Sequence, residues 1–262
     1  MPSVIHIENA TVYLSGRRVL KDIRWQVERG GRYFILGANG AGKTTLVRML
    51  LGYAWPLFGA TVEVLGKRFG GVNLQELRRH IAWVSPLMHR WLGDRDWTGR
   101  EMVLSGPDAT IGLFRTPTEA EEARAASLME SLRATDLMER PVSVMSSGEQ
   151  VKVLIARALM TNPELMILDE PSVFLDIAGR EFLLRTIAEL AAARPELTLV
   201  FITQRIEDIL PEFTRGMILR EGEILADGPR EEVLTEPLLN EAFGMNIRLI
   251  PGRNGRLWSV IE

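Results

Sequence analysis

The sequence holds no cysteine, which excludes disulfides, thiolate zinc sites and cysteine nucleophiles. Histidine is scarce as well. His6, His80 and His89 lie too far apart in sequence to read as a metal cluster. Neither sign of charge dominates: 31 Lys+Arg against 34 Asp+Glu leave a net charge of −3. Such a chain has no field to gather nucleic acid, and a nucleic-acid partner is not expected. Long apolar runs are missing too. The longest stretch without a charged residue, 49–62, has 14 residues and includes Gly52, Pro56 and Gly59. A membrane-spanning helix needs about 20 predominantly apolar residues, and no basic-then-apolar leader opens the chain. The chain itself is therefore expected not to cross a membrane. Only four basic residues are lysines, Lys21, Lys43, Lys67 and Lys152, which reads as the codon bias of a GC-rich genome.

What is present is an ordinary globular composition, 46% hydrophobic and 25% charged. At about 150 residues per domain, 262 residues make one large domain or two small ones. The first 36 residues read as short strands: Val4, Ile5 and Ile7, then 11–14, then 24–27, with a turn at Ser15 and Gly16. The run 33–36 is typical of a strand buried on both faces. An apolar-periodic helix follows at 46–51, and 61–64 and 81–84 add two strands. From 87 to about 145 strand signals fade, and 100–104 and 118–132 read as helices, the second with the acidic start Glu119, Glu121 and Glu122. Beyond that the pattern alternates: helix 148–160, strand 165–168, helix 179–193, strand 198–203, a helix near 206–210, and a terminal hairpin around Glu221 and Gly222. Alternating strands and helices indicate an α/β domain with a mainly parallel sheet, interrupted by a helical lobe at about 87–145. The last 25 or so residues are weakly marked.

Between the strand ending at Leu36 and the helix at 46–51 stands GANGAGKTT, 37–45. It fits G-x-x-x-x-G-K-[ST] at Gly37, Gly42, Lys43 and Thr44, in the strand–loop–helix context that motif requires. Glycines let successive N–H groups turn around phosphate oxygens at the positive end of a helix dipole. Lys43 then sets a point charge on the β- and γ-phosphates, and the Thr44 hydroxyl can ligate Mg²⁺. LMILDEP, 165–171, supplies an acidic strand end: Asp169 is placed to hold Mg²⁺ through water and Glu170 to polarise an attacking water. MSSGEQ, 145–150, reads locally as a capping box of Ser147 with Gln150.

The order and spacing of GANGAGKT, MSSGE, LMILDEP and the Leu175–Asp176 pair resemble the ATP-binding subunit of an ABC ATPase, over residues 3–230. That resemblance implies a P-loop NTPase of ABC-cassette fold: a mainly parallel core sheet, an N-terminal antiparallel β region and the inserted helical lobe, with a tail at 231–262. It implies that Gly37, Ala38, Asn39, Gly40, Ala41, Gly42, Lys43, Thr44 and Thr45 line ATP, with Thr44 and Asp169 on the metal. MSSGE stands where the family has LSGGQ, so Ser146, Gly148 and Glu149 are expected to close on ATP held by a partner's phosphate loop. Tyr13 matches the residue that stacks on adenine, and Asp176 the aspartate of the D-loop.

Two positions depart from the family pattern. Gln204 occupies the slot of a histidine that contacts the γ-phosphate, and is expected to keep part of its role. Ser85 and Pro86 stand where a glutamine is expected after the strand 81–84; His89 is the nearest histidine. SSGEQ with TQRIEDILPEF resembles a small branch of ABC cassettes, some linked to molybdate systems. The resemblance implies an ATPase that works with a second cassette chain, of the same or another sequence, in a head-to-tail dimer. It further implies a separate membrane-spanning permease, and hence a cytoplasmic position at the inner face of the membrane. The alternative reading is a soluble ABC ATPase acting on nucleic acid, the ribosome or a regulator.

Overall fold

Two twelve-residue strands open the chain, β1 (Ser3–Leu14) and β2 (Arg17–Glu28), paired antiparallel. The hairpin turns at Ser15 and Gly16, with φ of 50° and 77°, the left-handed pair that matches the twist of the flanking strands. The sequence suggested shorter separate strands; the strands are continuous and bulged. The register shifts four times along the pair; at two of these places one extra residue sits in β1 between Ile7 and Ala10 and one in β2 between Ile23 and Leu20. Asn9 and Asp22, both with positive φ, fall in those two gaps. β3 (Arg32–Leu36) leads into the glycine-rich loop and α1 (Lys43–Leu50). β4 (Thr61–Val64) and the short β5 (Lys67–Arg68) complete an antiparallel sheet ordered β2-β1-β4-β5.

The computed structural model describes residues 3–86, 95–110 and 112–262. It divides into two compact units, Met1–Leu74 with Arg194–Glu262, and Gln75–Ala193. After a short α2 (Leu74–Arg79), the second unit holds β6 (Ile81–Val84), α3 (Gly99–Leu104), α4 (Glu119–Ser131), α5 (Ser147–Leu159), β7 (Leu165–Asp169) and α6 (Ile177–Ala193). β6 and β7 run parallel, Ile81 opposite Leu165 through Val84 opposite Leu168. α3, α4 and α5 each begin with a reciprocal capping box, Thr98 with Glu101, Thr118 with Glu121 and Ser146 with Glu149.

The chain returns to the first unit through β8 (Thr198–Thr203), β9 (Arg215–Arg220), β10 (Glu223–Pro229), α7 (Arg230–Val233), α8 (Glu236–Phe243), β11 (Ile247–Pro251) and β12 (Leu257–Ile261). The stretch expected as a helix near 206–210 forms only a single 3-10 turn, Ile206–Asp208. β3 lies between β8 and β9 and is parallel to both, with Leu36 opposite Thr203 on one side and Ile218 on the other. Every residue of β8 is buried, and Phe34, Phe201 and Phe213 are fully enclosed. Gly216 admits Phe34: a Cβ there would stand 2.5 Å from its ring. The fold is α/β with parallel strands and an N-terminal antiparallel region, and no helix among the described residues is long and apolar enough to cross a membrane.

Candidate functional site

The loop from Gly37 to Gly42 leaves the carboxyl end of β3, a buried strand flanked on both sides. Gly42 caps α1 with φ 107° and Gly40 has φ 82°, conformations that L side chains rarely adopt. Gly37 needs its missing side chain for space, since a Cβ would meet the Leu219 carbonyl oxygen at 2.4 Å. The β9–β10 turn pins the loop from outside, the Gly222 N–H donating to the Ala41 carbonyl at 2.9 Å. Lys43 is buried, and its Nζ donates to the Gly37 and Ala38 carbonyls at 2.7 and 2.9 Å. The ammonium therefore sits within the loop, while Thr44 stands exposed in the first helical turn and Thr45 packs inward. Glycine backbone at a helix N-terminus around a lysine is a cradle for phosphate oxygens.

Two further predicted residues belong to the same unit. Tyr13 is 48% exposed near the end of β1. Gln204 is half-buried and follows Thr203, whose partner in β3 is Leu36; parallel register thus carries Gln204 to the level of Gly37. The turn after it is held by Thr203 Oγ1, which accepts from the Arg205 N–H at 3.0 Å. A cavity of about 340 Å³ flanks the loop, lined by 38–41, by Arg220 and Glu221, and by 241–244 of α8 and its cap. Arg220 and Glu241 pair across it at 3.1 Å. Sequence reasoning missed this C-terminal contribution, because 231–262 carries little periodic signal.

In the second unit, β7 ends in Asp169, which is 3% exposed. The β6–β7 register sets Ser85, also buried, at the level of Asp169. Glu170 follows with φ 49°. A carboxylate residue in left-handed backbone at a strand end is strain of the kind that functional sites retain. Asp176 accepts from the Gly179 N–H at 2.7 Å and so caps α6. Ser85 and Pro86 stand after β6 as expected; His89 lies outside the described residues, and no group of three His, Cys, Asp or Glu able to hold a metal occurs among those described.

The MSSGE segment, the signature of the chain, differs from its sequence reading by one residue. The cap of α5 is Ser146, in extended backbone, with Glu149; the pair Ser147 and Gln150 expected for it is used otherwise. Gln150 Nε2 donates to the Val142 and Met145 carbonyls at 3.1 and 3.2 Å, so its amide is spent on the preceding 3-10 turn. The Glu149 carboxylate accepts from the Ser146 N–H at 2.7 Å and the Ser146 hydroxyl at 2.8 Å, and pairs with Arg140 Nη1 at 2.7 Å. Those Ser146 contacts, seconded by Arg140, hold Glu149 below the usual carboxylate range. A Cβ built on Gly148 meets nothing within 4 Å, so the first turn of α5 is open. Arg140 carried no motif and was not found from sequence.

The family model described as ABC transporter matches residues 20–173. YlmA of Bacillus subtilis (strain 168), named an uncharacterized ABC transporter ATP-binding protein, is 39% identical over 248 residues, 94% of this chain and 93% of its own. ZurA of Listeria innocua serovar 6a, named the ATP-binding protein of a zinc uptake system, is 28% identical over 239 residues, 88% of each chain. The ATP-binding cassette MJ0796, in a dimeric post-hydrolysis state bound to ADP and Pi, has a TM-score of 0.72 at 22% identity, over 86% of this chain and 98% of its own. That last likeness speaks for the fold. A family match across more than half the chain, and a relative so similar along nearly all of it, place this protein in the ABC transporter family as an ATP-binding protein.

Proposed function

We propose that the chain binds Mg-ATP between its own phosphate loop and the signature of a second cassette chain, hydrolyses it there, and passes the resulting opening motion to a separate membrane permease. The observation that carries this reading is the loop around Lys43, where glycine backbone, a helix N-terminus and a buried ammonium converge. Thr44, exposed in the first turn, and Asp169, at the buried strand end and acting through water, are the residues that would hold Mg²⁺. Held there, Mg²⁺ would supply charge neutralisation on the β- and γ-phosphates. Glu170 orients a water and takes its proton as the oxygen attacks the γ-phosphorus and the β–γ bridging bond breaks. Gln204, level with Gly37, donates an amide hydrogen bond toward the γ-phosphate. Tyr13 stacks on adenine through its exposed face, which reads the base weakly and gives ATP little advantage over GTP.

One phosphate loop and one signature per chain make a complete site a property of two chains, and the dimeric MJ0796 cassette supports that arrangement. ZurA, named the ATP-binding protein of a zinc uptake system, supports a role in transport; a permease partner and a cytoplasmic position at the membrane's inner face follow from that reading. Lys43→Ala is expected to abolish ATP binding in calorimetry at millimolar nucleotide while leaving the unfolding transition in place; unchanged affinity refutes the assignment. Glu170→Gln is expected to stop hydrolysis and trap a closed dimer, seen by light scattering with ATP and Mg²⁺ as a mass near twice 29.4 kDa. Full turnover by that variant removes Glu170 from the chemistry.

A further inference from the structure

The signature of this chain carries a carboxylate at the helix end that is meant to receive a triphosphate. Ser146 has one hydroxyl proton, and it is donated to Glu149 at 2.8 Å. The hydroxyl oxygen in turn accepts from the Glu149 N–H at 3.4 Å. The same carboxylate takes the Ser146 N–H, one of the orphan donors at the start of α5. A phosphate oxygen arriving at Gly148, where the first turn is open, must therefore compete for the cap hydroxyl and meet a like charge. Among the described residues the charge is met by Arg140, whose Nη1 lies 2.7 Å from Glu149 Oε1 and 4.0 Å from Asp136. The Arg140 backbone is fixed independently, its carbonyl accepting from the Gly99 N–H at 3.0 Å.

We propose that the Arg140–Glu149 pair sets how readily the signature closes on nucleotide, Glu149 withholding the Ser146 hydroxyl and Arg140 cancelling the carboxylate's repulsion of the triphosphate. Both are positioning residues that act through Ser146. This rests on the reading that the signature meets ATP held by a second chain. Glutamine at 149 keeps the reciprocal cap, since S-x-x-Q serves as well as S-x-x-E, and removes only the charge. Arginine at 140 loses its role once that charge is gone.

The test is a titration of the full chain with a non-hydrolysable ATP analogue and Mg²⁺, following dimer mass by light scattering. Glu149→Gln is expected to lower the half-maximal nucleotide concentration about ten-fold, and Arg140→Met to raise it about ten-fold, within the usual range for coupling a local change to a binding equilibrium. In the Glu149→Gln background, Arg140→Met is expected to change nothing. Nucleotide affinity of the open monomer, measured in the Ser146→Arg background, is expected to stay the same for every variant, a pattern that a merely structural role does not produce. A Ser146→Arg chain that closes as the parent does refutes the signature reading and the proposal with it. If Ser146→Arg stays open while Glu149→Gln titrates like the parent, the proposal alone fails. An Arg140→Met shift of equal size in both backgrounds also overturns it.

Discussion

Gly37 and Gly40 sit three residues apart in one loop, yet a methyl group should cost very different amounts at the two positions. At Gly37 the added Cβ would lie 2.4 Å from the Leu219 carbonyl oxygen and 3.2 Å from the Ala41 Cβ, against a floor of 3.0 Å for real contacts. The obstacle is backbone, not the end of a flexible side chain. Leu219 belongs to β9, which pairs with β3 through Ile218 opposite Leu36, and the turn after it holds the Ala41 carbonyl. Relief therefore means moving β9 off the loop or the loop off β9. Overpacking against an element that cannot yield costs about 3 kcal/mol, or a fall of roughly 6–12 °C in Tm for a chain of this size. At Gly40 a Cβ meets nothing within 4 Å, and only φ 82° opposes it, worth about 1 kcal/mol and roughly 2–4 °C. Scanning calorimetry of Gly37→Ala and Gly40→Ala without nucleotide measures both. Equal shifts, or the larger one at Gly40, refute the packing argument.

Gln204→His is expected to raise basal ATP turnover with little change in ATP affinity, because imidazole adds positive charge and a proton shuttle that an amide lacks; one such contact at a transition state is worth about 2–4 kcal/mol. Steady-state kinetics on the two proteins decides it, and a slower His variant makes Gln204 an adapted residue and not a partial substitute. Glu121 provides a pH test: hydrogen bonds from Arg115, then from the Thr118 backbone, lower its carboxyl from an ordinary 4.5 to about 2. A depressed folded value means that its contribution is complete above pH 4.5 and is lost as pH falls from 4.5 toward 2. Glu121→Gln should flatten the decline of the urea midpoint across that window, and an unchanged slope refutes the pairing.

The parts of this fold legible in the sequence are those where one residue type has one physical use. Glycines at 37 and 42 around a lysine mark the loop because their backbone angles and close approaches exclude a side chain. Strands 33–36 and 165–168 read true because parallel central strands are buried on both faces and need no polar alternation. The N-terminal hairpin read as fragments for a converse reason. Its bulges at Asn9 and Asp22 break the two-residue period, so the apolar positions of one long strand fall out of phase. The terminal hairpin of β11 and β12 left no pattern, since apart from Ile247 its residues are at least partly exposed and no face is buried to select a period. Arg140 could not be found by any local rule: its partner Glu149 is nine residues away, brought near by the 3-10 turn at Val142–Val144.

The displaced cap shows how a one-residue ambiguity becomes a functional question. Ser146 with Glu149 and Ser147 with Gln150 both satisfy S-x-x-E/Q, so pattern alone could not choose between them. What chooses is the chain upstream. Met145 and Ser146 are both extended as the segment leaves the 3-10 turn, and an N-cap must have non-helical backbone, so Ser146 takes the position. Gln150, one residue further round the helix, then faces back under the turn and fastens it through two carbonyls. Ser147 falls into the first helical turn and loses the capping role. The outcome places a carboxylate, where the family pattern has a neutral amide, directly on the cap hydroxyl. The two bonds that start α5 run from backbone N–H groups, Glu149 to the Ser146 hydroxyl oxygen and Ser146 to the carboxylate. The hydroxyl proton that Glu149 also takes is the one a phosphate would compete for in the proposed closure. A glutamine at position 149 would start the helix equally well, so helix formation does not require the charge. The consequence of that charge lies at the nucleotide, where the concentration needed for closure reads it out.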